Sequence, residues 1–279
     1  LKTICNICGS ESAKIFDALI LNKHRVDYYQ CKRCGFIQTE KPYWLPDAYV
    51  SAMTALDVGL SYRNVTFSQI IPPLLDLFSD SSSSYIDYGG GYGIFVRMMR
   101  DKGYDYYLQD MYAENLFAKH FEIKDYSSKK KFKCLTSFEV FEHLQDPVKE
   151  LDAMFQLADT IIFSTELQPL ASFNAHEDWW YFSPIVGQHI SFYTQDSLRV
   201  LSEKFKCKLY SNGVNLHMFT NIEFKKDPFL TTRQKKRSII ERGINYFLKR
   251  IKTGQKINER TSLLNADFEL YKKLLNESL

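Results

Sequence analysis

No apolar run in the sequence approaches the length of a membrane span, so a membrane-spanning helix is excluded as its organising element. Charge of one sign is also missing. Thirty-six Lys and Arg stand against thirty-three Asp and Glu, and a net charge of +3 is too small to argue for nucleic acid by itself. There is no phosphate loop of the G-x-x-x-x-G-K type and no Ser-His-Asp or Cys-His arrangement, so neither phosphate cradling nor acyl-enzyme chemistry is indicated. Leu1-Lys2-Thr3 leads straight to a cysteine without the apolar stretch of a signal peptide, and a cytoplasmic location is expected. In a reducing compartment the six cysteines read as ligands or core residues rather than disulfides.

What is present suits an ordinary folded protein. At 279 residues, 45% apolar and 25% charged, the chain can bury one full α/β core and carry a smaller appendage. The appendage comes first. Cys5-x-x-Cys8 and Cys31-x-x-Cys34 are separated by twenty-two residues, and Gly9 and Gly35 follow the second cysteine of each pair. Two such knuckles form a tetrahedral site of four sulfurs, the preferred geometry of structural zinc. Four thiolates leave no position for water or substrate, so the zinc is structural. A nucleic-acid-binding ribbon is disfavoured, because the basic residues of this segment are partly balanced by acids.

The chain is organised around Tyr85-Ile86-Asp87-Tyr88-Gly89-Gly90-Gly91-Tyr92-Gly93. This reads as a short strand, a glycine turn and then a helix from Ile94 to roughly Lys102, ended by Gly103. Glycines at such a turn let backbone approach a ligand closely. The spacing is D-x-G-x-G-x-G and not the G-x-G-x-x-G of a dinucleotide site. An acid two residues before the first glycine is a poor neighbour for phosphate and suits a ligand that is cationic or rich in hydroxyls and amines. Strand 2, Asp105 to Gln109, ends in Asp110, about twenty residues beyond the turn, where this fold hydrogen-bonds ribose hydroxyls. A helix over 115–121 and a brief strand near 121–123 should follow. Strand 4, Lys133 to Ser137, leads into Glu139-Val140-Phe141-Glu142-His143-Leu144-Gln145-Asp146-Pro147, with Asp146 and Pro147 opening a helix.

In order and spacing these motifs resemble the class I S-adenosylmethionine (SAM) methyltransferases of the 11/12/23 type. The resemblance implies a Rossmann-like, seven-stranded α/β sheet with SAM held by Asp87, Gly89, Gly91, Gly93, Asp110, Met111 and Glu139. It places Glu142 and His143 at the carboxyl edge of the sheet. There they either meet the reacting groups or organise the loop. A nucleobase amine methylase would show an Asn/Asp-Pro-Pro-Tyr/Phe element after strand 4, which Ser137-Phe138-Glu139-Val140 lacks.

Strand 5, Asp159 to Ser164, precedes a long loop from Glu166 to Tyr193 that contains His176, Trp179, Trp180, Tyr181, Phe182, Gln188 and His189. Such a loop reads as a substrate-recognition segment, because aromatic faces stack on sugars and bases alike, or as an apolar lid without chemistry. With the cysteine pairs, it is similar to nucleotide-sugar methyltransferases that carry an N-terminal zinc domain, found with bacterial capsule and O-antigen genes. In those enzymes a Tyr-His-Glu-His-like element ends in the general base, and His189 matches that histidine. Val186, Gly187 and Gln188 depart from the element, which favours oxygen over carbon methylation. The catalytic candidates are therefore His189, His143, Glu142 and His176, and the acceptor implied is a sugar or nucleotide sugar. Other acceptors remain open: another small molecule, a nucleic acid, or sugar carbon or nitrogen. So does a non-catalytic scaffold.

Four segments follow from this reading. Residues 1–40 are the four-cysteine zinc-binding domain. Residues 41–83 are a helical bridge or lid, with helix over 47–63 and a second over 67–78 broken by Pro72-Pro73. Residues 84–225 are the methyltransferase core, and 226–279 a basic helical extension. Between 225 and 252, ten Lys or Arg face only Asp227 and Glu241. That amphipathic stretch either meets an anionic membrane or glycan-assembly complex, or packs on its own domain or a second subunit.

Overall fold

The structure is a computed structural model. It describes residues 2–50, 57–128, 130–229, 260–263, 266–267, 269–270 and 273–274. The main sheet has six strands in the order β10-β11-β8-β7-β5-β6. Strands β5 (Ser84–Tyr88), β6 (Asp105–Gln109), β7 (Cys134–Phe138) and β8 (Thr160–Ser164) run parallel, while β11 (Leu216–Thr220) pairs antiparallel with β8 and with β10 (Lys208–Ser211). The central strand β8, Thr-Ile-Ile-Phe-Ser, is buried at every position, as a strand covered on both faces must be.

Six strands are found where seven were expected among the described residues. The missing one falls beyond β6, where only a single bridge, Leu108 to Glu122, pairs parallel. The reason lies in the following residues: Ile123–Asp125 turn at once into a 3-10 helix, closed by the Glu122 N–H donating to the Asp125 carboxylate at 2.9 Å. Nor is there a helix over 115–121. Asn115 spends its side chain on the backbone of Ala118, donating to its carbonyl and accepting from its N–H, which holds a turn.

Helices α3 (Ile94–Asp101), α4 (Pro147–Leu157) and α5 (Gln195–Lys204) cover the sheet. Asp146 caps α4 by accepting from the Lys149 N–H at 3.1 Å. Ahead of the sheet lie a short turn of helix, α1 (Leu45–Ala48), and α2 (Leu60–Leu75). Pro72 and Pro73 do not break α2 where the sequence predicts. They sit in its last turn, so few helical bonds are lost before the helix ends.

The N-terminal half-sheet consists of β1 (Lys2–Ile4), β2 (Glu11–Ile20), β3 (His24–Cys31) and β4 (Ile37–Thr39), all antiparallel. Its fifth strand is β9 (Ser191–Phe192), from the loop after β8. On its inner face Phe16, Tyr28, Trp44, Phe182 and Phe192 form one aromatic core. The cysteine end packs into the core of the main sheet, where Cys5, Cys31, Cys34 and Phe36 share a cluster with Phe141, Tyr193 and Leu198. The two sheets are therefore joined by the segment after β8 that supplies β9 and by shared apolar packing.

The basic stretch 230–259 lies outside the described residues. Beyond it, Arg260 stacks 4.1 Å over Tyr104, and buried Asp267 pairs with buried Arg100 at 2.9 Å. Arg260 and Asp267 are thus seated on the protein's own domain. No described helix is long and apolar enough to cross a membrane.

Candidate active site

Three strand ends build the site. The turn after β5 passes beside the ends of β6 and β7, the crevice where open α/β sheets bind ligands. Its glycines serve different needs. A Cβ at Gly89 would strike Val140, one at Gly90 would strike Asp87 and Leu108, and one at Gly93 would crowd Asn115 and Ala118. At Gly91, with φ at +59°, a Cβ would meet nothing within 4 Å. Gly91 alone of the turn therefore borders open space, and the others are small for packing.

Asp110 holds this turn. Its carboxylate accepts from the Gly91 N–H at 2.8 Å and from the Tyr112 and Ala113 N–H groups, both at 2.7 Å. Asp87 does not face the crevice. It is 2% exposed beneath the turn, accepts a 2.6 Å hydrogen bond from Thr136, and burial pushes its carboxyl up to about 7. Met111 and Tyr112 lie exposed at the mouth, and Tyr112 stacks on Tyr49 at 5.2 Å.

Glu139 sits at the end of β7 with a left-handed backbone, φ +54°. Its carboxyl accepts from Ser164 at 2.6 Å, while burial and then the charge of Glu142 push it up to about 7. Glu142 is fully buried, and neither carboxylate oxygen has a hydrogen-bond partner among the described residues.

His143 and His189 meet edge to face, with ring centroids 5.0 Å apart. Each aims one nitrogen at a backbone carbonyl: His143 Nδ1 at Gln188 (3.0 Å), His189 Nδ1 at Tyr181 (2.7 Å). A carbonyl only accepts, so Nδ1 carries a proton, and in a neutral ring Nε2 keeps the lone pair. Burial, and then His143, hold His189 down to about 3, so its ring is neutral at physiological pH. One ligand atom of each of Glu142, His143 and His189 lies within 4.8 Å of the other two.

His176 is not part of this cluster. It sits on its own 3-10 turn with Nδ1 3.2 Å from neighbouring Glu177. The aromatic loop also divides. Trp179, Tyr181 and Phe182 are buried in the core of the N-terminal sheet, and only Trp180 is largely exposed. Gln188, one of the three residues that depart from the Tyr-His-Glu-His-like element, donates to the Ala48 carbonyl at 2.9 Å and so anchors α1. Sequence reasoning missed Thr136 and Ser164, the hydroxyls beneath the two buried acids. It also missed Glu166, partly buried near Glu139 and Glu142 and raised by that burial. Strand alternation marks the first two only as buried positions.

The cysteines form a second centre. Cys5 and Cys34 sulfurs lie 3.7 Å apart and Cys8 and Cys31 sulfurs 3.4 Å, with all four within 4.8 Å of one another. A tetrahedron with zinc–sulfur bonds of about 2.3 Å has edges of roughly 3.8 Å, so the four thiols fit that ion. Thr194, the cap of α5, donates to the Cys34 carbonyl at 2.6 Å and fastens this knuckle to the main domain.

The family model Methyltransf_23, described as "Methyltransferase domain", matches residues 61–212. No curated protein matches the sequence. Among solved structures, one similar chain is magnesium protoporphyrin IX methyltransferase from Synechocystis PCC 6803 with bound SAH, at 15% identity and TM-score 0.41, covering 63% of this chain and 92% of that one. Another is the plantazolicin methyltransferase BpumL in complex with a pentazolic desmethylPZN analog and SAH, at 12% identity and TM-score 0.41, covering 68% of this chain and 80% of that one. TnmH matches at 11% identity and TM-score 0.38 over 58% of this chain, which spans 57% of the TnmH chain.

Proposed function

The chain belongs to the methyltransferase domain family as a SAM-dependent methyltransferase, and on that premise we propose that it methylates a hydroxyl of a sugar, as a nucleotide sugar or surface glycan. The observation that carries this reading is the convergence, at one sheet edge, of the Asp110-held turn, the open face of Gly91 and two imidazoles with free Nε2 lone pairs. SAM supplies a sulfonium-activated methyl group for in-line displacement. Asp110 and the Gly91 backbone would hold its ribose end. Asp87 and Glu139, buried and short of positive partners, favour a cation above the turn. His189 or His143 accepts the acceptor's proton at Nε2, and most of the rate comes from holding acceptor and methyl in line. At a pKa of about 3, His189 is a weaker base than its residue type suggests.

The sugar acceptor rests on three features: the exposed faces of Trp180 and Tyr112, the cysteine pairs, and the match of His189 to the family's base. The four cysteines would hold a structural zinc that fixes the N-terminal sheet against α5. The direct test is a panel of nucleotide sugars and phosphosugars with methyl-labelled SAM. Transfer to a sugar hydroxyl is expected. Inactivity on every sugar, with turnover on a nucleic acid or another small molecule, would overturn the acceptor assignment. His189→Ala should keep SAM binding and lose turnover, and near-normal turnover would move the role to His143.

A further inference from the structure

We propose that Glu142, His143 and His189 form a second metal site, for a hard or borderline divalent cation such as Mn2+, at the carboxyl edge of the main sheet. Two imidazoles and one carboxylate are a donor set that binds such ions with positions left open.

Three independent features point to an ion. Glu142 is fully buried, yet neither carboxylate oxygen has a partner among the described residues, and a carboxylate in that state needs a cation or a proton. Both imidazoles are locked by Nδ1 onto backbone carbonyls, which leaves Nε2 as a lone-pair donor. Ligating histidines are commonly fixed in this way. The three side chains also come from two distant segments, Phe141–His143 and the loop before β9. The Ile190 N–H donates to the Glu142 carbonyl at 2.8 Å and pins those segments together. The array is therefore held by main chain on both sides.

Charge in the vicinity favours a cation. Glu139 and Glu166 add further carboxyls, while Arg63, the nearby guanidinium, is paired with Asp57 at 2.6 Å. The site opens through the half-buried imidazoles and closes at Glu142. An ion there would leave positions for the acceptor oxygen and make the imidazoles ligands in place of bases. That role rests on the proposed function, whereas occupancy of the site does not.

The test uses the full chain with its cysteine site loaded with zinc, and Mn2+ alone as the probe. Mn2+ prefers nitrogen and oxygen donors to thiolates. Electron paramagnetic resonance of free Mn2+ should report one tight site per chain, weakened at least tenfold in Glu142→Gln and in His189→Ala. Pulsed resonance on the wild-type protein should show nitrogen couplings from two imidazoles, a readout that needs no variant to fold. Absence of stoichiometric Mn2+ binding, equal binding in both folded variants, or bound Mn2+ without imidazole coupling would each overturn the inference. Methyl transfer without Mn2+ binding would sink this site and leave the proposed function standing. Imidazole-bound Mn2+ with no methyl transfer to any sugar would do the reverse.

Discussion

Replacing Asp87 by Asn tests the electrostatics beneath the glycine turn. Asp87 is 2% exposed, and its carboxyl rises from 3.8 to about 7, first through burial and then through the charge of Asp110, with the Thr136 hydrogen bond opposing. A folded-state value raised above the unfolded one gives stability that is full below about pH 4. It is lost as pH rises through about 7. About three pH units at 1.36 kcal/mol each gives roughly 4 kcal/mol, an upper figure for the fold without ligand. Asn is uncharged and can still accept from Thr136. The difference in unfolding free energy between Asp87→Asn and wild type should therefore grow from near zero at pH 4 to as much as about 4 kcal/mol at pH 8. Taking the difference matters. Glu139, also raised to about 7, loses stability over a similar window, whereas half-buried His189 and buried His217, lowered to about 3 and about 4, gain it as pH rises toward 6.5. Those contributions are common to both proteins and cancel. Urea unfolding of zinc-loaded protein without SAM, at several pH values, is the assay. A difference that stays flat from pH 5 to 8 would refute the reasoning.

Further predictions concern the turn, the cysteines and the back of the sheet. Gly91→Val should fold less stably because of the positive φ and weaken SAM binding by at least tenfold, since its side chain enters the open space; calorimetry with unchanged affinity would show that the ligand lies elsewhere. If the four cysteines hold zinc, a chelator should lower the melting temperature and expose Cys34 to thiol labelling, because the knuckle shares the core of the main sheet. Asp267→Asn should cost about 3–5 kcal/mol by leaving Arg100 with one carboxylate partner fewer, measured by urea unfolding, and a cost below about 1 kcal/mol would mean the tail is not seated there.

The parallel strands were legible because their apolar runs and bounding turns are local signals. Strand β6 and helix α3 lie where the sequence predicts them. The lost seventh strand was not legible, since pairing beyond β6 depends on a neighbour's backbone and the Glu122–Asp125 cap competes for it. The pairing of β9 with β4 joins residues about 150 positions apart, a tertiary fact that no local pattern carries. At the site, Asp110 and the glycine turn were read from spacing. Asp87 was expected to face the ligand and lies under the turn, because Gly90 leaves room for its carboxylate there. The aromatic loop read as a recognition surface, but most of its rings fill the N-terminal core. His176 and His189 look alike in sequence, and only folding separates them: one stays beside Glu177, and the other is drawn against His143.

In the proposed mechanism SAM sits over the turn held by Asp110, beside the imidazole pair. Titration calorimetry with S-adenosylhomocysteine tests it most directly. One saturable site per chain is predicted, weakened at least tenfold in Gly91→Val and retained in His189→Ala. No heat of binding, or binding that Gly91→Val leaves untouched, would contradict it.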